Sequence, residues 1–265
     1  METVRHDGRQ TAYRVADGGA RAESGADTVR ALYVHGSGAT HRVWAAQYGA
    51  DGPVHPAAAL DLSGHGDSED VDTGPSADAL AAYGRDVVAV ARETGADVLV
   101  GNSLGGAVVL HVALDTDLDP EALVLTGTGA RLAVHEDLRE WLVTDFDRAV
   151  EFLHGEDRLF HDADERALGR SKSQLRATGR EVTRRDFLTC HAFDVRDRLD
   201  GIDAPALAVV GEHDSLTPPA YHEYLAENLP NGEYAEIPDA AHLAMAERPD
   251  VFNRTVGEFL RSTDG

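Results

Sequence analysis

Val98-Leu99-Val100-Gly101-Asn102-Ser103-Leu104-Gly105-Gly106 is the stretch on which the reading of this chain turns. An apolar, partly β-branched run enters Gly-x-Ser-x-Gly. Ala107-Val108-Val109-Leu110-His111-Val112-Ala113-Leu114 then continues, small and apolar, for the length of a helix. Strand, sharp turn and helix form the context in which this pattern presents its serine outward. Gly101 and Gly105 lack a Cβ, so strand and helix can approach closely at the turn. Ser103 is expected at the apex in strained backbone, with Leu104 N–H aimed toward a developing negative charge. Taken alone, the same letters also describe a glycine-rich turn that only packs.

On either side of this stretch the chain alternates. Val4–His6, Asp7-Gly8 and Thr11–Val15 read as a hairpin with a two-residue turn, followed by a Gly- and Asp-rich loop to Asp27. Val29–Val34 reads as a buried strand ending at His35-Gly36-Ser37-Gly38. Ala57–Leu62 is another, ending at Ser63-Gly64-His65-Gly66-Asp67-Ser68. Ser76 reads as the N-cap of a helix that Gly95 ends, with Leu80, Tyr83, Val87, Val88 and Val90 among its apolar residues. Later strands are expected at Ala122–Thr126, Ala206–Val210 and Tyr234–Ile237, with a closing helix from about Pro249 to Leu260. Strands alternating with helices imply a parallel sheet covered on both faces.

Between Arg131 and Ile202 the alternation stops and helical periodicity takes over, carried by Leu138, Trp141, Leu142, Val150, Phe152, Leu153, Phe187, Leu188 and Phe193. A stretch of that length is too long for a simple loop. It is expected to form a small helical cap over the carboxyl ends of the strands. The domain reading is therefore a core of residues 1–130 and 203–265 with residues 131–202 as the cap.

Composition narrows the function classes. The chain has 265 residues, enough for one sizeable domain with a pocket. No apolar run is long enough for a membrane span, and Met1–Asp7 lacks the basic start and apolar core of a signal peptide. A single cysteine, Cys190, excludes an intrachain disulfide framework and a thiol metal cluster. A soluble cytoplasmic protein is the natural expectation. The 24 basic residues face 47 acidic ones, a formal net charge of −23, which argues against a nucleic-acid partner. Only one lysine is present, Lys172, and the 29 aspartates outnumber the 18 glutamates. Acids spread along the whole chain fit adaptation to strong salt, where the Debye length shrinks to about 3 Å near 1 M and self-repulsion is screened.

Five motifs follow one another outside the helical stretch. They are His35-Gly36-Ser37-Gly38, Asp61-Leu62-Ser63-Gly64-His65-Gly66-Asp67-Ser68, Gly101-Asn102-Ser103-Leu104-Gly105-Gly106, Gly211-Glu212-His213-Asp214 and Ala241-His242. In these the chain resembles the α/β-hydrolase fold family, of the ester-hydrolase type with a helical cap. The resemblance implies a mostly parallel eight-stranded sheet with helices on both faces and a helical cap insertion. It also implies Ser103 as a nucleophile that needs a neighbouring base. His242 lies after the last strand, where this fold delivers that base. Asp214 lies just past the preceding buried strand, giving the order Ser103, Asp214, His242 expected of the fold. As an alternative, Asp214 caps a helix at Pro218-Pro219. Asp203 and Asp239 are rival acids, the first at the wrong end of its strand and the second not after the right one. The resemblance places the oxyanion donors at the backbone N–H groups of Ser37 and Leu104.

The other histidines have plainer readings. His35 and His65 belong to structural turns, and His111 reads as a satisfied core residue. No histidine pairs at a metal-ligand spacing, so neither metal nor cofactor is expected. Cys190 reads as a small buried residue on a cap helix, and Lys172 and Trp141 as candidates for the pocket wall. The expected activity is cleavage of a small carboxylic ester or thioester through an acyl-enzyme. Carbon–carbon bond hydrolysis, lyase and perhydrolase chemistry keep the same three residues. Ala39-Thr40 after the first motif speaks against the carbon–carbon hydrolases, and a non-enzymatic ligand receptor is the alternative from another class. The expected partner is a small molecule.

Overall fold

The computed structural model describes residues 1–16 and 30–263. The loop expected up to Asp27, and the start of a strand at Val29, fall outside them. Eight strands form one sheet: β1 (Glu2–His6), β2 (Arg9–Ala16), β3 (Ala31–Val34), β4 (Ala57–Leu60), β5 (Val98–Asn102), β6 (Ala122–Thr126), β7 (Ala206–Gly211) and β8 (Gly232–Ile237). Their order is β1-β2-β4-β3-β5-β6-β7-β8. β1 pairs with β2, and β2 with β4, antiparallel; every later pair is parallel. The hairpin turn is Asp7-Gly8, both residues at positive φ, as a tight two-residue connection requires.

The central strands are buried at every position because both of their faces are covered, and they are apolar but for Asn102 and Thr126 at two of their ends. Leu32, Leu99, Leu123 and Leu125 point to one core, packed under the helices α2 (Ala77–Thr94) and α3 (Leu104–Asp115). Tyr33, Val100, Val124 and Val209 point to the other, covered by Trp44 and by Phe252 and Phe259 of the last helix (Pro249–Thr263). The Ser76 side chain accepts the Asp78 N–H at the start of α2, and Gly95 ends that helix in the left-handed conformation.

Four α-helices and a short 3-10 helix (Arg196–Gly201) lie between β6 and β7. With the short α1 (Ala45–Tyr48) preceding α2, the four are α4 (Glu136–Thr144), α5 (Phe146–Leu153), α6 (Glu165–Thr178) and α7 (Arg180–Ala192). They share a small core of their own around Leu138, Leu142, Val150, Leu153 and Leu175. After β7 come α8 (Pro219–Asn228), α9 (Ala244–Glu247) and α10 (Pro249–Thr263). Among the described residues no helix is long and apolar enough to cross a membrane.

The parallel register sets the ends of the strands level. Val34 lies opposite Gly101, Asn102 opposite Thr126, Thr126 opposite Val209, and Gly211 opposite Ile237. The loops that leave these ends carry Ser37, Ser103, Asp214 and His242. Carboxyl ends of parallel strands are where open α/β sheets gather their ligand sites.

Candidate active site

β5 runs straight into α3 through Ser103, whose φ of 55° and ψ of −117° lie where a non-glycine residue is strained. Such backbone typically costs about 1–3 kcal/mol and persists only where its surroundings impose it. Here Ser103 N–H donates to Thr126 O at 3.0 Å, and the Thr128 hydroxyl donates to Ser103 O at 2.9 Å. The flanking glycines are obligatory. A Cβ on Gly105 would stand 2.3 Å from Val34 O, and one on Gly101 would stand 2.4 Å from Gly105 O. Leu104 opens α3, so its N–H has no partner within the helix and lies at the positive end of the helix dipole. Its side chain is fully buried in the core.

The first motif holds its turn through a buried histidine. His35 Nε2 accepts the Leu62 N–H at 3.0 Å, so Nδ1 carries the proton and donates to Gly36 O at 2.8 Å. Complete burial, with the neighbouring His65 adding to it, brings the His35 pKa down to about 4, which keeps the ring neutral and this tautomer in place. Ala39 N–H donates to the same Gly36 carbonyl at 3.2 Å. In a trans peptide the N–H points opposite the carbonyl, so Ser37 N–H is turned away from both donors. Gly36 and Ser37 form part of a cavity wall.

Asp214 and His242 meet across the ends of β7 and β8. His242 Nδ1 lies 2.9 Å from Asp214 Oδ2. The same oxygen accepts the Thr217 hydroxyl at 2.7 Å, and Asp214 Oδ1 accepts the N–H groups of Leu216 and Thr217 at 2.9 Å each. Asp214 therefore closes its own turn and does not cap α8, whose N-cap is Pro218. Burial raises a carboxyl's pKa, but His242 and then Thr217 outweigh it and hold Asp214 below its ordinary value. Asp203 and Asp239, the rival acids, are exposed on the surface.

Ser103 and His242 line one cavity of about 1660 Å³, and Asp214 stands behind His242. Among the described residues neither Ser103 Oγ nor His242 Nε2 has a hydrogen-bond partner, so both are open to the cavity. Such bonds are often long without substrate and tighten around it. Leu138, Phe152, Leu175 and Phe187 from the helical stretch form the apolar wall opposite, and Arg166 and Arg170 stand among its polar members.

Three readings of the sequence need correction. Lys172 and Trp141 are not on the cavity wall. Lys172 pairs with Glu151 at 2.5 Å, and Trp141 packs edge-on against Phe152 under Arg148. His111 is only partly buried and pairs with Asp115 one helical turn on at 2.9 Å, because α3 turns that flank toward the surface. Spacing along the chain also missed groups that only folding brings together. Asn102 Nδ2 reaches both Thr126 O and His242 O at 3.3 Å, tying the serine turn to the histidine loop. Thr217 Oγ1 lies 3.2 Å from His242 Nδ1. A Cβ on Gly127 would crowd Asn102 Nδ2 at 2.7 Å and His242 O at 3.0 Å, so that position must be glycine. Asp157, His161 and His213 also gather on the surface. Their two imidazoles stack in parallel 3.8 Å apart, so their in-plane lone pairs do not converge on one point.

Comparison with known proteins follows this geometry. The sequence model of the alpha/beta hydrolase family matches residues 31–255. A pimeloyl-[acyl-carrier protein] methyl ester esterase of Neisseria meningitidis serogroup A is 31% identical over 253 residues, covering 88% of this chain and 78% of that protein. Among solved structures, a thermophilic esterase superposes with a TM-score of 0.84 at 28% identity, covering 99% of this chain and 97% of the other. The enol-lactonase of Burkholderia xenovorans LB400 superposes with a TM-score of 0.83 at 25% identity, covering 98% and 100%.

Proposed function

The chain belongs to the alpha/beta hydrolase family, and on that premise we propose that it is a serine hydrolase cleaving a carboxylic ester through an acyl-enzyme. One observation carries the reading. The His242 ring is anchored through Nδ1 by a carboxylate, while Nε2 is left open on the cavity wall it shares with Ser103. A serine hydroxyl becomes a nucleophile only beside such a base.

In this mechanism Ser103 Oγ attacks the ester carbonyl carbon and His242 Nε2 takes its proton. The carbonyl π electrons move to oxygen, and the backbone N–H groups of Ser37 and Leu104 hold that oxyanion. Asp214 keeps the proton of the resting ring on Nδ1 and stabilises the imidazolium. The tetrahedral intermediate collapses, and His242 gives its proton to the departing alkoxide. Water, deprotonated by His242, then attacks the acyl-enzyme; collapse of the second intermediate releases the acid and restores Ser103.

Residues 131–202 act in this reading as the cap, whose Leu138, Phe152 and Phe187 supply the apolar wall that excludes water. The cavity exceeds the roughly 300–1,000 Å³ common for small ligands, which favours an extended acyl chain over the small substrate expected at first. The pimeloyl ester named for the Neisseria relative is of that kind. The test is a p-nitrophenyl ester series of rising chain length, run on the wild type and on Ser103→Ala, with phosphonate labelling. Turnover rising with chain length, with activity and labelling both lost in the variant, is the expected result. Turnover and labelling that survive the substitution would overturn the assignment.

A further inference from the structure

The turn that carries Ser37 is held from outside the sheet. Gly38, next in sequence, has φ +68° and no side chain of its own to fix it. Its N–H donates to Asp186 Oδ2 at 3.0 Å, and its carbonyl accepts the Thr178 hydroxyl at 2.9 Å. Thr178 ends α6 and Asp186 lies in α7, so both backbone groups of this core residue are bound by the helical stretch. Cys190, one turn further along α7, has its Sγ 3.9 Å from Ser37 Oγ.

Asp186 is itself fully buried. Its carboxylate also accepts from the Tyr83 hydroxyl at 2.6 Å and from His65 Nε2 at 2.9 Å. Beside it, Arg185 bonds Tyr83 Oη at 2.9 Å and Asp70 at 2.6 Å. A carboxylate so deep in a protein is costly unless every lone pair is used, and here one of its bonds is spent on the loop that faces the nucleophile. The Gly36 carbonyl is fixed by His35 on one side and Gly38 by Asp186 and Thr178 on the other. Ser37 lies between these two clamps.

Resting on the reading of Ser103 and of Ser37 N–H given above, we propose that Asp186, assisted by Thr178, is a positioning residue for the oxyanion hole. The helical stretch then completes the hole rather than merely covering it. An oxyanion donor works only when it is oriented before the reaction, and a displacement of about 1 Å can cost about 100-fold in rate.

The test compares Asp186→Ala, Asp186→Asn, Thr178→Val and Tyr83→Phe on one p-nitrophenyl ester. It adds the affinities of a trifluoromethyl ketone, which forms an oxyanion with the serine, and of the matching methyl ketone, which only occupies the site. Asp186→Ala should lower kcat about 100-fold, as misplacing one donor does, with KM changed less than about threefold. Asparagine keeps an acceptor oxygen for Gly38 and should restore most of that loss. Thr178→Val, nearly isosteric, should lower kcat by about 3- to 10-fold, the effect of a weakened clamp. Both losing variants should weaken the trifluoromethyl ketone and leave the methyl ketone unchanged. Tyr83→Phe removes a bond to the same carboxylate but none to Gly38, so it should lower Tm and leave kcat within about threefold. Equal kcat losses in Tyr83→Phe and Asp186→Ala, or equal weakening of both ketones, would reduce Asp186 to a structural pin. Thr178→Val decides the matter if Asp186→Ala does not fold. Full turnover in Ser103→Ala would instead overturn the underlying reading, so the two failures are distinguishable.

Discussion

In the proposed mechanism, two buried aspartate–histidine pairs of this fold serve opposite ends. Asp214 and His242 meet at 2.9 Å, as do Asp186 and His65. His65 points its second nitrogen at Ser63 O, 3.2 Å away, so both ring nitrogens face acceptors. Burial opposes charge on that ring, yet Asp186 outweighs it and raises its pKa. A doubly bonded imidazolium has no lone pair to offer as a base. His242 spends only Nδ1 within the protein and leaves Nε2 on the cavity. On the proposed mechanism, what separates a structural pair from a chemical one is not distance or burial. It is whether one ring nitrogen remains free where a substrate can reach it.

The sharpest way to break this comparison is to remove each ring in turn. His242→Gln should lower kcat by about 10⁴-fold or more, as loss of a base in such a set does. His65→Gln should keep kcat within about 10-fold and appear as a lower Tm, since it removes a buried ion pair. Equal loss of turnover in two folded variants would erase the distinction. Asp214→Asn should come next, with a fall of about 10³–10⁴-fold in kcat from the wrong tautomer, at nearly unchanged KM.

Acid tests the buried histidines by stability. His35 and His222 are brought down to about 4 by burial, so each stays neutral in the fold while the unfolded chain takes up a proton below about 6.5. The unfolded state then binds more protons, and stability falls as pH falls through that window. Urea unfolding at about pH 7 and about pH 5 should differ by about 2 kcal/mol for each ring. Asp214 and Asp186, both held low, keep their contribution to a lower pH and lose it as pH falls through their depressed values. His65 works in the other direction. Its contribution is complete below about pH 6.5 and is lost as pH rises through its raised value. His65→Gln should therefore flatten the alkaline side of the stability profile and, because His65 is the main group holding Asp186 low, should also shrink the acid-side contribution of Asp186.

Salt should produce the smallest effect on chemistry and separate surface from interior. With a net charge of −23, the fold should gain several degrees in Tm between about 0.1 M and about 1 M salt, as screening shortens from about 10 Å to about 3 Å. Neither buried pair feels that screening strongly, so kcat should change little. A Tm unaffected by removing salt would refute the proposal that the acidic surface is an adaptation to salt.

Most of the sheet was legible because its strands are covered on both faces and read as unbroken apolar runs. Ser76 and Gly95 marked α2 for the same kind of local reason, a cap side chain and a left-handed residue. Lys172 and Trp141 misled because a helical repeat reveals which residues share a face and not which cavity that face meets. Asn102 stood inside a motif that was read, Thr217 shortly after another and Gly127 just past the end of β6, but the His242 loop that all three meet reaches them only in the fold.

By itself the sequence determined the serine turn, the order of the three polar residues and the acidic surface, since each depends on neighbours in the chain or on composition. Only the tertiary structure decided that His242 keeps a free nitrogen, that His65 does not, and that Asp186 reaches Gly38 from 148 residues away. The first depends on how the loops after β7 and β8 meet, the other two on how α7 settles against the turns that carry His65 and Gly38, and no local pattern in the chain encodes either contact.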